Sequence, residues 1–170
     1  MPSNHVAMMR ALNLLLMLLL SSAVWADELA IVKRFYSDYA AMSKTLQGSE
    51  LVVRFLPAHE SLLAPEVYRR VLEHEQRTLD AMAGKRPYLR AAVIEFDLLT
   101  GSSGAAKSFR YGKPERGRVP VTFQTTDMRG TPMTRSLTVV LKGGRIVDLH
   151  YQGVGTLLEA LAEIDAAKSR

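Results

Sequence analysis

Apolar residues recur at steps of three and four through the segment from residue 28 to about residue 44. Those positions lie on one side of a helix with 3.6 residues per turn, and the residues between them are mostly polar or charged. The pattern predicts an amphipathic helix that buries one face. The repeating positions are Leu29, Val32, Phe35, Tyr36 and Tyr39.

The same spacing predicts two further helices before residue 85. A short one is expected to be capped by Ser49 and ended by Pro57. A longer one is expected to begin at Pro65, since proline suits the first helical turn, and to run to Met82. Gly84 follows at the position where a glycine commonly ends a helix.

Beyond residue 89 the period of the apolar positions changes from 3.6 to two, which is typical of strands with one buried face. The pair Gly143-Gly144 predicts a tight hairpin, because both residues accept the positive φ angles of a primed turn. Thr156 and Glu159 fit a capping box that opens a last helix. The predicted strands lie at residues 93–98, 106–111, 119–124, 137–141 and 146–151.

Helices therefore come first, strands second and one helix last. This segregation predicts the α+β class, since a parallel sheet would need helices and strands in alternation. We expect N-terminal helices packed on a curved antiparallel sheet of four or five strands, followed by a C-terminal helix. Such a sheet wraps around the long helix and leaves a cone-like hollow.

The N-terminal 26 residues have the organisation of a secretory signal peptide. A start with one basic residue precedes a leucine-rich run, and Val24-Trp25-Ala26 has the small-x-small form of a cleavage site. The apolar run is shorter than the roughly 20 residues of a spanning helix. We therefore predict a signal peptide at 1–26, a single α+β domain at 27–170, a periplasmic or secreted location, and no stable membrane span after cleavage.

Composition excludes several classes of site. The chain has no cysteine, so disulfides, thiol nucleophiles, cysteine metal ligands and a lipidated cysteine are ruled out. Residues 1–26 hold one of the 22 basic residues and none of the 17 acidic ones, which leaves +4 on residues 27–170. The charges are interspersed, and no basic run indicates nucleic-acid binding. No motif predicts a cofactor.

Several phrases of the sequence resemble a known group of proteins. They are the opening Val32-x-x-Phe35-Tyr36-x-x-Tyr39, the turn phrase at residues 109–115, the strand at residues 118–123, and the ending at residues 144–157. They are similar to an uncharacterised family of bacterial exported proteins and lipoproteins with a fold like nuclear transport factor 2 and the cystatins. The resemblance spans about residues 28–165.

The resemblance implies the cystatin-like fold without one activity. The wider fold includes isomerases, dehydratases, immunity proteins against toxins, and pocket-bearing domains without chemistry, and fold alone does not choose among them. This chain departs from the lipoprotein members because it lacks the lipidated cysteine.

One set of polar residues is a candidate site. It lies on the sheet face predicted to be opposite Val121, Val139 and Leu149. Glu95, Asp97 and His150 would act there as catalytic residues, a carboxylate being the base and the histidine its partner. Together with Gln124 and Asp148 they would also suit a divalent metal. The alternative is that this face is simply exposed to water. His59 is expected in a loop and His74 toward the polar side of its helix.

The sequence favours a non-catalytic domain over an enzyme. The first hypothesis is an exported binding or inhibitory domain with a protein partner in the cell envelope, immunity against a toxin being one form. The alternatives are a pocket enzyme of the isomerase or dehydratase type, and a carrier of a small apolar ligand. The sequence predicts no oligomeric state.

Overall fold

The computed structural model describes residues 27–84, 96–127 and 129–168. The described part contains α-helices α1 to α4, one 3-10 helix and strands β1 to β5. The helices are α1 (27–42), α2 (Gly48–Phe55), the 3-10 helix (Leu56–Leu62), α3 (Pro65–Met82) and α4 (Leu157–Lys168). The strands are β1 (Lys107–Tyr111), β2 (Arg118–Thr126), β3 (Pro132–Lys142), β4 (Arg145–Tyr151) and β5 (Gly155–Thr156).

The five strands form one antiparallel sheet in the order β1-β2-β3-β4-β5. This confirms the predicted α+β class, with helices before the sheet and one helix after it. Two register irregularities, in the β1–β2 and β3–β4 pairs, interrupt the ladder. Irregularities of this kind bend a strand and increase its twist.

The inner face of the sheet packs on α1. Phe109 of β1 stacks on Tyr36 of α1 with ring centroids 4.9 Å apart, and it also contacts Phe123 of β2. Phe35 meets Phe55 of α2 edge to face at 4.9 Å. These aromatic side chains join the first helix, the second helix and the sheet into one apolar core.

The turn predicted before β4 and the cap predicted at the start of α4 are both confirmed. Gly143 and Gly144 have φ angles of 58° and 72°, as a primed turn requires. Glu159 N–H donates to the Thr156 hydroxyl at 3.1 Å, and Thr156 N–H donates to the Glu159 carboxylate at 2.8 Å. These reciprocal bonds satisfy backbone donors at the start of α4.

Three predictions about the helical segments are wrong. Ser49 does not cap α2, since the residue before that helix is Gln47 and no side chain caps it. His59 lies in the 3-10 helix rather than in a loop, and it is buried, stacked on Phe55 at 4.1 Å. Proline therefore does not end the helical path at residue 57, because a tighter helix continues it to Leu62.

The strand predictions fail at two positions. The described part of segment 93–98 is a bend, an isolated bridge from Asp97 to Ser102 and the start of a turn, instead of a strand. The two-residue period in β4 places Val147 on the same face as Leu149 and Tyr151, but the buried residue near the hairpin is Ile146, and Val147 is half-buried. The irregularity between Val140 and Leu141 shifts the alternation there, so the two-residue period does not hold across it.

Candidate functional site

A cleft of about 570 Å³ opens between the helices and the segment that precedes β1. Its walls come from the end of α1, the start of α2, the inner side of α3, and residues 96–105. None of the described lining residues belongs to a strand. The hollow is therefore beside the sheet, and not inside a cone of strands as the sequence predicts.

Asp97 lies at the inner end of this cleft, on a tight turn. Leu99 N–H donates to its Oδ1 at 2.7 Å, and the Asp97 carbonyl accepts N–H groups of Thr100 and Gly101 at 3.2 and 2.6 Å. The Asp97 N–H donates to the Ser102 carbonyl at 2.9 Å, which closes the turn. An aspartate that accepts a backbone N–H two residues ahead favours such a turn over a strand.

Three buried tyrosine hydroxyls hold this turn from the core side. Tyr39 donates to the Asp97 carboxylate, Tyr36 donates to the Leu99 carbonyl at 2.9 Å, and Tyr151 donates to the Leu98 carbonyl. Burial raises the pKa of each of the three tyrosines, and the charge of Asp97 raises it further. The hydroxyls therefore remain donors, and they fix the turn to α1 and β4.

The Asp97 carboxyl has a raised pKa. Burial is the main cause, and the hydrogen bonds from Tyr39 and from the backbone of the turn act in the opposite direction. The group is thus an enclosed carboxylate that is bonded on both oxygens.

Glu75 is the second enclosed carboxyl of the cleft, and sequence reasoning missed it. It lies on α3 and is only 6% exposed. Burial raises its pKa to about 7, and the Asp97 charge adds to the rise, whereas a hydrogen bond from Ser49 lowers it. Glu75 is therefore close to half-ionised at neutral pH.

A signal for Glu75 exists in the sequence. It falls four residues after Val71 and four before Leu79, which places it within the apolar stripe of α3. A charged residue in such a stripe either has an ion-pair partner or has a shifted pKa. His74, predicted toward the polar side, is also buried and lines the cleft, so that prediction is wrong.

The structure does not bring the predicted site residues together. Glu95 lies outside the described residues. His150 alternates with the buried residues Leu149 and Tyr151, so it points to the outer side of the sheet. Asp97 contacts the core side of the molecule through Tyr39, and the predicted convergence of Asp97 with His150 is thereby corrected.

On the outer side, His150 has partners of its own. Its Nε2 lies 3.3 Å from the Asp148 carboxylate, and Arg118 approaches its Nδ1 at 3.3 Å. The other Asp148 oxygen accepts the Leu158 N–H at the start of α4 at 3.2 Å. Gln124, also on the outer side, donates to Thr134 at 2.9 Å. These contacts link β2 to β3 and β4, and they link β4 to the start of α4.

The described ranges contain neither a metal-binding cluster nor a membrane-spanning helix. Among residues 27–84, 96–127 and 129–168, no three histidine or acidic side chains are grouped closely enough to hold a metal ion. Within the same ranges no helix combines the length and the apolar character that crossing a bilayer requires.

Fold and cleft together define an α+β domain with a side pocket that contains two enclosed carboxyls. No family model and no curated protein matches the chain. A solved structure of a protein of unknown function from Bacteroides thetaiotaomicron VPI-5482 is similar, with 16% identity over 76% of this chain and 92% of that one and a TM-score of 0.47. A likeness at this level carries no functional argument.

Proposed function

We propose that the chain is an exported, non-catalytic binding domain whose ligand is a small molecule held in the cleft beside Asp97 and Glu75. One observation carries the proposal, namely a cleft of about 570 Å³ on which two enclosed carboxyls converge. Ligand pockets typically measure about 300–1,000 Å³ and combine an apolar lining with a few placed polar groups.

The lining supports this proposal. Apolar side chains such as Leu46, Leu79 and Phe96 supply contact area, and polar side chains beside them offer hydrogen-bonding groups. The floor is rigid, because Tyr36, Tyr39 and Tyr151 fix the turn that bears Asp97. A preformed pocket lowers the ordering cost of binding.

Export is the second part of the proposal, and the leader pattern of residues 1–26 supports it. The test is the intact mass of the protein recovered from the periplasm or medium of a Gram-negative host. A mass that begins at Asp27 supports export, and one that begins at Met1 contradicts it.

Binding in the cleft is tested with an uncharged apolar dye, Nile red. Thr78 lines the cleft from α3, and Thr78→Trp is expected to fill it and abolish the dye fluorescence enhancement. Gln76 lies on the exposed side of the same helix, so Gln76→Trp is the matched control and retains binding. Equal dye binding by both variants contradicts the proposal.

A pocket enzyme of the isomerase or dehydratase type is the second candidate. The pKa of about 7 at Glu75 favours it, since a general base works best when it titrates near the working pH. Glu75 takes the place of His150 as the partner of Asp97 in this candidate. The test is whether the protein catalyses exchange of the α-hydrogens of cyclic ketones in deuterated water, as followed by NMR. Only an enzyme of this type is expected to catalyse the exchange. Glu75→Gln is expected to abolish it.

Recognition of an envelope protein, including immunity against a toxin, stays a prediction. A pulldown with the exported domain tests it. Specific recovery of one envelope protein, retained by Thr78→Trp, would support a partner that binds away from the cleft.

A further inference from the structure

The cleft is acidic although the whole chain carries a formal net charge of +5. Its described lining includes the carboxyl side chains of Glu50, Glu75 and Asp97, and no lysine or arginine among the residues that the structure describes. Glu50 pairs with Arg54 at 2.8 Å on the outside of α2. The charge that faces a ligand therefore comes from Glu75 and Asp97.

Neither inner carboxyl is matched by a cation within the described part of the chain. Asp97 accepts from the Tyr39 hydroxyl and from backbone N–H groups, all of which are neutral. Glu75 is only 6% exposed, and its hydrogen-bond donor is the neutral hydroxyl of Ser49. Two carboxyls in one cleft, with no cation beside them among the described residues, are unfavourable when both are ionised, and a bound cation removes this penalty.

Apolar side chains line one part of the same cleft. Leu79 and Phe96 line the cleft, and Met82 is 75% exposed at its edge, which is unusual for a large apolar side chain. Methionine adapts its shape to different ligands, and an aromatic ring attracts cations at its face. The cleft thus offers a charged end and an apolar wall.

We infer that the ligand is a small organic cation, an amine on an apolar or aromatic body, whose ammonium group binds between Glu75 and Asp97. The body packs along Leu79, Met82 and Phe96. This inference rests on the proposed function, because it names the chemical class of the molecule that occupies the same cleft.

The test uses three indole compounds of matched shape, namely tryptamine, tryptophol and indoleacetate, titrated into the full purified protein by isothermal calorimetry at pH 7.5. Tryptamine is expected to bind at least about tenfold more tightly than tryptophol, and indoleacetate most weakly, since one good charge-assisted contact is worth a factor of this size. Equal affinities, a preference for indoleacetate, or no binding of tryptamine at millimolar concentration overturns the inference.

The residue assignment is tested with Glu75→Gln, which keeps the shape of the side chain and removes its charge. The preference for tryptamine is expected to disappear while tryptophol binds unchanged. Glu73→Gln is the matched control, because Glu73 lies on the exposed side of the same helix and pairs with Arg69. A preference that survives in Glu75→Gln overturns the assignment.

The pH dependence of tryptamine affinity is a further test of the inference. Tryptamine stays cationic from pH 5.5 to 8, so its affinity is expected to rise with pH as Glu75 ionises. Glu50, His74 and Asp97 also line the cleft, and the same series on Glu75→Gln isolates the Glu75 carboxyl. A constant affinity for the unaltered protein contradicts the inference.

These experiments distinguish failure of the cationic-ligand inference from failure of the small-molecule binding function. Nile red binding that Thr78→Trp abolishes, together with no preference for tryptamine, leaves the small-molecule function standing and rejects the cationic ligand. Absence of both Nile red and tryptamine binding rejects the binding function itself.

Discussion

The Tyr39 hydroxyl donates a hydrogen bond to the Asp97 carboxylate and thereby joins the first helix to the turn at the floor of the cleft. The two residues are 58 positions apart in the chain. Tyr39 is 2% exposed, so this bond forms away from bulk water, where an unmet polar group is costly. The same contact lowers the pKa of Asp97 against the effect of burial. It therefore contributes both to the fold and to the charge of the cleft.

Tyr39→Phe is expected to destabilise the protein by about 1–3 kcal/mol, because it leaves a buried carboxylate oxygen without its donor. Urea unfolding at pH 7 measures the effect. Tyr68→Phe is the matched control, since Tyr68 is half-buried and no described group accepts its hydroxyl, and its change is expected to stay within about 0.5 kcal/mol. Equal effects of the two substitutions would show that the bond to Asp97 adds nothing.

Gly101→Ala is expected to disrupt the turn that bears Asp97. The φ angle of Gly101 is +65°, and a Cβ there would lie 2.7 Å from Cδ1 of Tyr151. The left-handed conformation costs alanine about 1–2 kcal/mol, and the clash adds about 1–3 kcal/mol.

Gly153→Ala separates the two contributions to that loss. Gly153 has a similar φ of +77°, but a Cβ at this position would meet nothing within 4 Å, so only the conformational cost applies. Chemical denaturation of both variants measures the difference. A loss at residue 101 no larger than at residue 153 would contradict the clash with Tyr151.

Local sequence patterns predict most of the fold. The Gly143-Gly144 turn and the Thr156–Glu159 capping box depend on residues within a few positions of each other, so the sequence alone specifies them. The helix periodicity of α3 and the two-residue period of β2 likewise reflect one buried face each. These features require no knowledge of distant partners.

The cleft depends on distant contacts, and the sequence does not predict it. Leu98 and Leu99 are adjacent and both fully buried, which a strand with one covered face does not allow. Two adjacent buried leucines indicate a turn inside the core. The side chains that hold this turn come from α1 and β4, and they are Tyr36, Tyr39 and Tyr151. Only the folded chain shows that these hydroxyls meet the turn, and that Glu75 of α3 lies beside it.

Arg116→Asn is expected to stabilise the protein by about 0.5–1 kcal/mol. Glu115 and Arg118 exchange backbone hydrogen bonds of 2.9 and 3.0 Å around a two-residue turn, in which Arg116 has a φ of 50°. Asparagine tolerates this left-handed conformation better than arginine does. Urea midpoints measure the gain. Lys44→Asn is the control, because Lys44 is exposed in a turn without a positive φ, and a gain there of the same size would contradict the role of the left-handed conformation at Arg116.

Glu75 is expected to make the stability of the protein fall as pH rises from 4.5 to 7. Burial raises the pKa of this carboxyl from 4.5 to about 7 in the folded chain. Between these values the folded state holds a proton that the unfolded state has released, so the free energy of unfolding decreases with pH.

The size and origin of this pH effect follow from a comparison of variants. At about 1.4 kcal/mol per pKa unit, the contribution lost between pH 4.5 and 7 reaches about 3 kcal/mol at most. Glu75→Gln keeps a neutral side chain at every pH, so its unfolding free energy, measured in urea across this range, is expected to decline less than that of the unaltered protein. Glu73→Gln is expected to retain the full decline, since Glu73 is exposed. Parallel curves for Glu75→Gln and the unaltered protein would contradict the raised pKa of Glu75, since the folded and unfolded states would then bind its proton equally.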